Sequence, residues 1–244
     1  MKYFCVLLML AMNQGLPFKK IQLLNPRVRT AFEEKERVVM NYFKEKKLSY
    51  AGFQLFIRAF KKEQKVEVWV MENGKNNYSL LHEYDFCSMS GTLGPKRKEG
   101  DLQIPEGVYE INHFNPESNF YLSLGINYPN ASDKILGNPE HPGSSIYIHG
   151  NCVTIGCIPI TDDKIKELYL LAVEARNSGQ QKIYVHIFPS RLDLGAVEEL
   201  NKTYLADKDL ASFWRNLQTI YLDFKSTNKL SKVMVDSKGS YYLL

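Results

Sequence analysis

A histidine and a cysteine past the middle of the chain have the types and spacing of a nucleophilic pair. His149 follows a strand-like run, and Cys157 comes eight residues later, directly after Gly156. A thiol attacks as its thiolate and therefore needs a neighbouring base, a task that imidazole suits near neutral pH. Gly156 would let the chain turn tightly, and backbone N–H groups beside Cys157 could then form an oxyanion hole. The pattern makes Cys157 a candidate nucleophile with His149 as its candidate base, although a histidine at a strand end is more often a surface or hydrogen-bonded structural residue.

Other interpretations of the cysteines stay open on the residues alone. A free cysteine is often simply part of a core. Cys152 is also a candidate nucleophile, although it lacks an adjacent glycine, and Cys152 with Cys157 could form a redox pair of the C-x4-C type. Four cysteines are too few for a disulfide-stapled scaffold, and no His/Cys cluster has zinc-site spacing. We therefore expect no metal.

The composition excludes several classes of protein. The chain has 244 residues, 44% hydrophobic and 24% charged, which is unlike a collagen, a low-complexity tail or a disordered segment. The net charge of +4 is spread along the chain and is concentrated only in short runs at 44–47 and 95–98. A nucleic-acid-binding protein of this length usually has a stronger, clustered basic excess. We expect no nucleic-acid partner.

The first residues resemble an export signal. An apolar run over 3–12 follows Met1-Lys2, and its length suits the hydrophobic region of a secretory signal but not a bilayer span. We predict a signal peptide over 1–15, with a buried strand or helix as the alternative. The mature protein is expected to have no membrane span.

The elements that must position His149 and Cys157 are mostly strands. Asn25-Pro26 predicts a helical segment over 25–48, after a linker over 13–24. The predicted strand before the site ends next to His149. Thr161 is a candidate N-cap, and the apolar residues after it recur every three or four positions, which predicts a helix just beyond Cys157. Strands are predicted over 54–60, 65–70, 78–86, 107–111, 120–124, 144–148 and 182–188.

Two further segments complete the predicted organisation. The long polar connection over 127–144, rich in Pro and Gly, is interpreted as a binding or lid element. Residues 193–225 are predicted to be helical and to pack outside the β body. We therefore divide the chain into a catalytic domain over 50–190 and a C-terminal helical extension over 191–244.

Several short blocks together resemble one enzyme family. Ile148-His149-Gly150 and the later Thr154 to Ile158 are similar to the signature of the L,D-transpeptidase catalytic (YkuD) domain, and in particular to its YafK-like branch. The resemblance covers about 50–190, and its pieces follow one another in the family's order. The other matching blocks lie at 56–61, 67–70, 100–109, 123–130 and 186–189.

The resemblance implies a fold and a reaction. The fold would be mainly β with flanking helices: a β-sandwich body, a helix after the cysteine, and helical N- and C-terminal additions. Cys157 would attack an amide of a peptidoglycan stem peptide and form an acyl-enzyme, with His149 as base and later acid and the carbonyl of Gly150 orienting the imidazole. Gly156 would shape the oxyanion-hole turn. No cofactor is implied, and the protein would be periplasmic or otherwise exported.

Two departures from the family's commonest pattern leave the reaction's outcome open. Ile155 stands where that pattern has a second histidine, and Pro159 stands where it has an arginine. The YafK-like branch shares both changes and implies an amidase that releases a wall-linked lipoprotein from diaminopimelate. Transpeptidase and hydrolase both stay open, and a non-catalytic peptidoglycan-binding module is the competing class.

Further residues are candidates for the substrate groove. Tyr128, Tyr147 and Thr154 are predicted to line it. The basic run over 96–98 could attract stem-peptide carboxylates, although a solvated loop is the simpler interpretation. Three other histidines are expected to be surface or structural residues, namely His113, His141 and His186.

Overall fold

Asn25 starts the first long helix, as predicted. Its side-chain oxygen accepts the backbone N–H of Arg27 at 2.9 Å, and Pro26 occupies the first helical position, where no N–H is needed.

The structure is a computed structural model that describes residues 16–204 and 207–244. The segment 1–15, interpreted above as a signal peptide, lies outside the described residues.

The described part of the chain contains helices before, within and after the sheet. None of them is both long and apolar enough to cross a membrane. The helices are α1 (Phe18–Gln22), α2 (Pro26–Glu45), α3 (Ala131–Leu136), α4 (Asp162–Asn177), α5 (Ala196–Thr203) and α6 (Lys208–Thr227).

The strands before α4, apart from the two-residue β7, lie in the segments where the sequence patterns predict strands. One of them starts late: Tyr121 adopts a left-handed φ of 72°, which a strand excludes, so the strand predicted over 120–124 begins at Ser123. The strands are β1 (Phe53–Phe60), β2 (Lys65–Glu72), β3 (Ser79–Asp85), β4 (Gly107–Asn115), β5 (Ser123–Ile126), β6 (Tyr147–His149), β7 (Ile158–Pro159), β8 (Tyr184–Phe188), β9 (Val233–Val235) and β10 (Tyr241–Leu243).

Eight strands form one continuous mixed sheet in the order β3-β2-β1-β8-β4-β5-β6-β7. Neighbouring strands are antiparallel except for β1 with β8 and β6 with β7, which are parallel. β1 is buried along almost its whole length, as expected of a central strand covered on both faces. The predicted mainly β body with flanking helices is confirmed, and the predicted meander of β1, β2 and β3 forms one end of the sheet.

Helix α4 supports the strands that carry the candidate site. Its predicted apolar face is fully buried at Ile165 and Leu168, because apolar residues three and four apart share one side of a helix. The same core cluster contains Ile148 of β6 and Ile158 of β7. Helix α4 therefore packs against the inner face of β6, which ends at His149, and of β7, which begins just after Cys157.

Residues 18–22 form the short helix α1, so the prediction of a linker over 13–24 was wrong there. The ring of Phe18 packs edge-on against Phe114 with centroids 5.0 Å apart, and Lys19 forms an ion pair with Glu174 of α4 at 2.5 Å. A five-residue helix without a capping side chain does not persist alone. Contacts with distant residues stabilise it.

The C-terminal extension packs against the outside of the sheet, as predicted. Trp214 and Leu217 of α6 share a buried cluster with Phe60 of β1 and Phe188 of β8. The interpretation of 191–244 as helical omitted the hairpin of β9 and β10. Strands of three residues carry too little alternation to be recognised from sequence.

The connection over 127–144 was predicted to be irregular throughout. It instead contains the helix α3. Asn130 begins this helix with a reciprocal capping box. The side chain of Ser132 donates to the carbonyl of Gly239 at 2.6 Å, and that of Asn130 donates to the hydroxyl of Tyr241 at 2.8 Å. These bonds attach the connection to the C-terminal hairpin, which does not support the lid interpretation for its first half.

A disulfide joins Cys87, just after β3, to Cys152 in the loop between β6 and β7. Their Cα atoms are 5.4 Å apart and 65 residues apart in sequence. Cys157 is free. The alternative of a redox pair between Cys152 and Cys157 is therefore not supported, because Cys152 is bonded to Cys87.

Replacing Cys87 and Cys152 together with serine should lower the free energy of unfolding by about 2–4 kcal/mol, since the bridge closes a long loop in the unfolded chain. Urea denaturation of oxidised wild type and the double variant measures the difference. In reducing buffer the two proteins should have nearly equal stability. Equal stability of the oxidised proteins would contradict the bridge.

Candidate active site

Strand β6 ends at His149 and buries its imidazole. The side chain is 1% exposed and stacks on the ring of Phe120, with centroids 4.6 Å apart. The Nδ1–H donates to the carbonyl of Gly150 at 2.5 Å. This bond assigns the proton to Nδ1 and leaves the lone pair on Nε2 free to accept one.

The parallel register of β6 and β7 places Cys157 on the same face as His149. Ile148 pairs with Ile158 and His149 with Pro159, so Cys157, one residue earlier, lies level with Tyr147. Side chains alternate between the two faces of a sheet, and paired residues share a face. The thiol and the imidazole are therefore diagonal neighbours on one face. No hydrogen bond joins the two side chains, and catalytic hydrogen bonds commonly tighten only when substrate binds.

The thiol of Cys157 is held by backbone atoms of the preceding strand. The N–H of Tyr147 donates to Sγ at 3.4 Å, and Sγ donates to the carbonyl of Ser145 at 3.7 Å. The Cys157 side chain is neither fully buried nor fully exposed. A substrate could reach the sulfur while the backbone fixes its direction.

Burial keeps both reactive groups uncharged at rest. It lowers the pKa of His149 below its ordinary 6.5, although the bond to the Gly150 carbonyl acts in the opposite direction. Burial raises the pKa of Cys157, opposed by the Tyr147 N–H and by the charge of Lys96. Together these shifts favour a neutral thiol and a neutral imidazole near neutral pH.

Gly150 fits a position with no room for a side chain. A Cβ there would lie 2.5 Å from Oδ1 of Asp162, 2.7 Å from the carbonyl oxygen of Phe120 and 3.1 Å from Ile165. The carboxylate of Asp162 accepts the N–H of Asn151 at 2.7 Å, which fixes the chain immediately after the glycine. The first turn of α4 thus positions the carbonyl that orients His149.

The turn before Cys157 depends on Gly156 and Thr154. Gly156 adopts a left-handed φ of 138°, where a Cβ would lie 3.0 Å from the carbonyl of Gln103. Its N–H donates to the Thr154 hydroxyl at 3.1 Å, and that hydroxyl donates to the Cys157 carbonyl at 2.7 Å. Thr154 therefore closes the turn from within, and the N–H of Gly156 is already engaged.

Comparison with known proteins identifies the family of this chain. Residues 55–186 match the model of the YkuD family, the L,D-transpeptidase catalytic domain. The chain belongs to this family. It is 34% identical to YafK of Escherichia coli (strain K12) over 194 residues, covering 79% of this chain and 75% of that protein, and equally so to YafK of Escherichia coli O157:H7. The family prediction is confirmed.

Solved structures with weaker overall likeness include a cell-shape protein and an L,D-transpeptidase. The helical cell shape determining protein Pgp2 from Campylobacter jejuni is 20% identical, over 77% of this chain and 74% of that one, with a TM-score of 0.45. Mycobacterium tuberculosis L,D-transpeptidase 1 is 16% identical, over 56% of this chain and 62% of that one, with a TM-score of 0.30.

Lys96 is a residue of this L,D-transpeptidase domain whose position the sequence did not indicate. It is 4% exposed, and its ammonium donates to Asp101 at 2.6 Å and to the carbonyl of Lys98 at 2.9 Å. The expectation of a solvated loop over 96–98 is therefore wrong for Lys96, since this ion pair allows its burial. Its charge favours the thiolate form of Cys157.

The two tyrosines predicted to line the groove lie in different surroundings. Tyr128 is buried, and its hydroxyl donates to the carbonyl of Pro142 at 2.8 Å, so it packs beneath the 127–144 connection. Tyr147 is partly exposed beside Cys157, and its hydroxyl meets Nδ1 of His113 at 3.3 Å. The structure brings Tyr147 to the site and places Tyr128 in the core.

The remaining predictions around the site have mixed outcomes. His113 and His141 are exposed, as expected. His186 is buried against the ring of Phe56 within β8 and contributes nothing to the thiol's surroundings. Thr161 occupies the N-cap position of α4 without a side-chain capping bond, and Asp162 makes the local bond instead. Among residues 16–204 and 207–244, no His, Cys, Asp or Glu side chains cluster as metal ligands.

Proposed function

We propose that this chain is a cysteine acyl-transfer enzyme acting on an amide of peptidoglycan stem peptides, with Cys157 as nucleophile and His149 as base. One observation supports this most directly. The parallel pairing of β6 with β7 puts the thiol and the imidazole on one face, and the Gly150 carbonyl leaves Nε2 as the free base. The family's L,D-transpeptidase chemistry supplies the substrate class.

The first half of the reaction begins with proton transfer. Nε2 of His149 takes the thiol proton as Sγ of Cys157 attacks the amide carbonyl, and a bond from sulfur to carbon forms. The positive imidazolium is stabilised by the carbonyl of Gly150 at Nδ1–H. His149 then gives the proton to the leaving amine, and the carbon–nitrogen bond breaks.

The tetrahedral intermediate needs a donor for its oxyanion. The N–H of Gly156 is bonded to Thr154, whereas the N–H of Cys157 has no acceptor among the described residues. The N–H of Cys157 is therefore the donor that we assign to the oxyanion. One such donor typically contributes ~10²–10³ in rate.

The second half passes the acyl group to an amine or to water. Ile155 and Pro159 carry no charge at positions where the common family pattern has a histidine and an arginine, and Ile155 is 78% exposed. Ile155 therefore offers an apolar contact at the rim of the site, whereas Pro159 is buried in β7. Transfer to an amine makes a cross-link, and transfer to water makes the enzyme an amidase, for which a wall-linked lipoprotein is the proposed leaving group.

We infer that the protein works outside the cytoplasm. Its proposed substrate lies beyond the cytoplasmic membrane, and the apolar run over 3–12 suits an export signal. The Cys87–Cys152 disulfide supports the same location, because such bonds persist in oxidising compartments.

Incubation of the protein with sacculi that carry bound lipoprotein tests the function. Mass spectrometry of the muropeptides should reveal changes that depend on Cys157. Loss of lipoprotein remnants identifies an amidase, and new diaminopimelate–diaminopimelate links or exchanged terminal amino acids identify a transpeptidase. Sedimentation with sacculi without any changed muropeptide would instead favour a non-catalytic binding module.

The pH dependence of kcat/KM should have its acidic limb below pH 6.5. His149 acts only when neutral, and burial lowers its pKa below that value, so the rate rises as pH increases through the lowered pKa. A kcat/KM profile from pH 4 to 9 on a soluble muropeptide measures this. An acidic limb above pH 6.5 would contradict the assignment of His149 as the base.

Replacing Gly150 with alanine should reduce kcat/KM by roughly 10²-fold, the usual effect of misplacing a catalytic group by about 1 Å. The new methyl group would meet Asp162 and the Phe120 carbonyl, and the shift would move the carbonyl that orients His149. Steady-state kinetics and thermal unfolding of the same sample separate lost orientation from lost folding. Unchanged kinetics in a folded variant would remove Gly150 from the mechanism.

A further inference from the structure

A cleft lies beyond the catalytic face, where the C-terminal extension meets the catalytic domain. Its volume is about 760 Å³, within the usual range for ligand sites. Its walls come from the segment 94–97, the end of α3, the first half of α6 and the turn between β9 and β10. None of the residues assigned to the reaction lines it.

The cleft presents charges of both signs around an apolar surface. Arg97 and Lys238 supply the cations, and Asp207 and Asp209 supply carboxylates at the start of α6. Among the described residues, Lys238 and Asp209 form no ion pair. Phe213 provides the apolar part, with the guanidinium of Arg97 5.0 Å from its ring centre.

This lining fits a short peptide better than a uniformly charged ligand. A phosphate or nucleic acid would be repelled by the two carboxylates, and a polyamine would be repelled by the two cations. A peptide with free ammonium and carboxylate groups on an aliphatic chain matches both charges and the apolar floor. A stem peptide containing diaminopimelate has that chemistry.

The position of the cleft relative to the thiol suits a polymeric substrate. Pro95 and Arg97 line the cleft, and Lys96 between them donates to Asp101 at 2.6 Å. Asp101 accepts the N–H of Gln103 at 3.1 Å, and the Gln103 carbonyl lies against Gly156, the residue before Cys157. One short segment therefore separates the cleft from the surroundings of the thiol. Peptidoglycan carries many stem peptides, so one polymer can occupy both places.

We propose that this cleft binds a second stem peptide of peptidoglycan, so that the enzyme holds its polymeric substrate at two points. The proposal rests on the proposed function for the identity of the ligand. Two linked contacts raise the apparent affinity for a polymer without changing the affinity of either site. The cleft should therefore affect binding to sacculi more than turnover of a soluble single-stem muropeptide.

Ser212→Trp tests the cleft because Ser212 is an exposed residue of α6 that lines it. Thr219→Trp is the matched control, since Thr219 is exposed on the same helix outside the cleft. Both substitutions are made in the full-length Cys157→Ala protein, which cannot turn over substrate. If Ser212→Trp folds poorly, Lys238→Glu in the turn between β9 and β10 provides a second test of the cleft.

Calorimetry with a purified disaccharide tetrapeptide should find two sites in the Cys157→Ala protein and in the Thr219→Trp control, but one in Ser212→Trp. Sedimentation with sacculi should be weakened about tenfold or more by Ser212→Trp and by Lys238→Glu. In the Cys157 background, kcat/KM on the soluble muropeptide should stay unchanged.

Equal stoichiometry and equal sacculus affinity in all variants would overturn the proposal while leaving the catalytic function intact. A single site that Ser212→Trp removes, in a protein whose wild type processes no muropeptide, would support the cleft and reject the proposed function. Equal loss of soluble and polymeric activity would also overturn the proposal, because the cleft would then act through the catalytic face.

Discussion

Replacing Cys157 with alanine should lower the rate of muropeptide processing by roughly 10⁴-fold or more, because no other side chain can form the acyl-enzyme. The substitution removes only two weak sulfur contacts, to the Tyr147 N–H and the Ser145 carbonyl. The free energy of unfolding should change by less than about 1 kcal/mol. Mass spectrometry of the products and thermal unfolding check the two parts.

The two bridged cysteines provide the control for this experiment. The Cys87→Ser/Cys152→Ser variant keeps the proposed nucleophile and should retain Cys157-dependent activity at temperatures where it is folded. Under non-reducing conditions iodoacetamide should label Cys157, the free cysteine of the described residues. Activity that survives Cys157→Ala, or labelling confined to Cys152, would reject the assignment.

Replacing His149 with glutamine should reduce kcat/KM by ~10²–10⁴-fold, the usual contribution of a positioned general base. Glutamine can still donate to the Gly150 carbonyl but cannot take the thiol proton. Since burial raises the pKa of Cys157, the thiol would stay protonated near neutral pH. Both kcat/KM, measured by steady-state kinetics, and the rate of iodoacetamide labelling at pH 7 should decrease.

The exposed His141 supplies a matched histidine-to-glutamine control. His141→Gln should leave kcat/KM unchanged, because His141 is exposed and has no role in the proposed proton transfer. The acidic limb of the pH profile should also persist in His141→Gln and disappear in His149→Gln. A profile that keeps its acidic limb in His149→Gln would assign the base to another group.

Much of the fold was predictable because local patterns dominate it. Asn25-Pro26 and the periodicity after Thr161 located α2 and α4, and alternation located most strands of the sheet. Predictions were wrong where a tertiary contact overrode a weak local pattern. The segment 18–22 is helical because Phe18 and Lys19 contact distant residues.

The candidate site was predictable in part for a similar reason. The types and spacing of His149, Gly150, Gly156 and Cys157 are local, and the family match agrees with the segment that contains them. The support around them is not local. The stacking of Phe120 on His149 and the contact of Asp162 with the following backbone join residues 11 or more positions apart.

The sequence by itself determined the types and spacing of the candidate nucleophile and base, the strand that ends at His149, and the helix that begins shortly after Cys157. Only the tertiary structure decided that Cys152 pairs with Cys87, that Lys96 is buried with its charge acting on the thiol, and that α6 and the hairpin form a cleft beside the segment 94–97. The first set depends on side-chain chemistry and on periodicities of a few residues. The second depends on burial and on contacts between distant parts of the chain, whose free energies no local pattern contains.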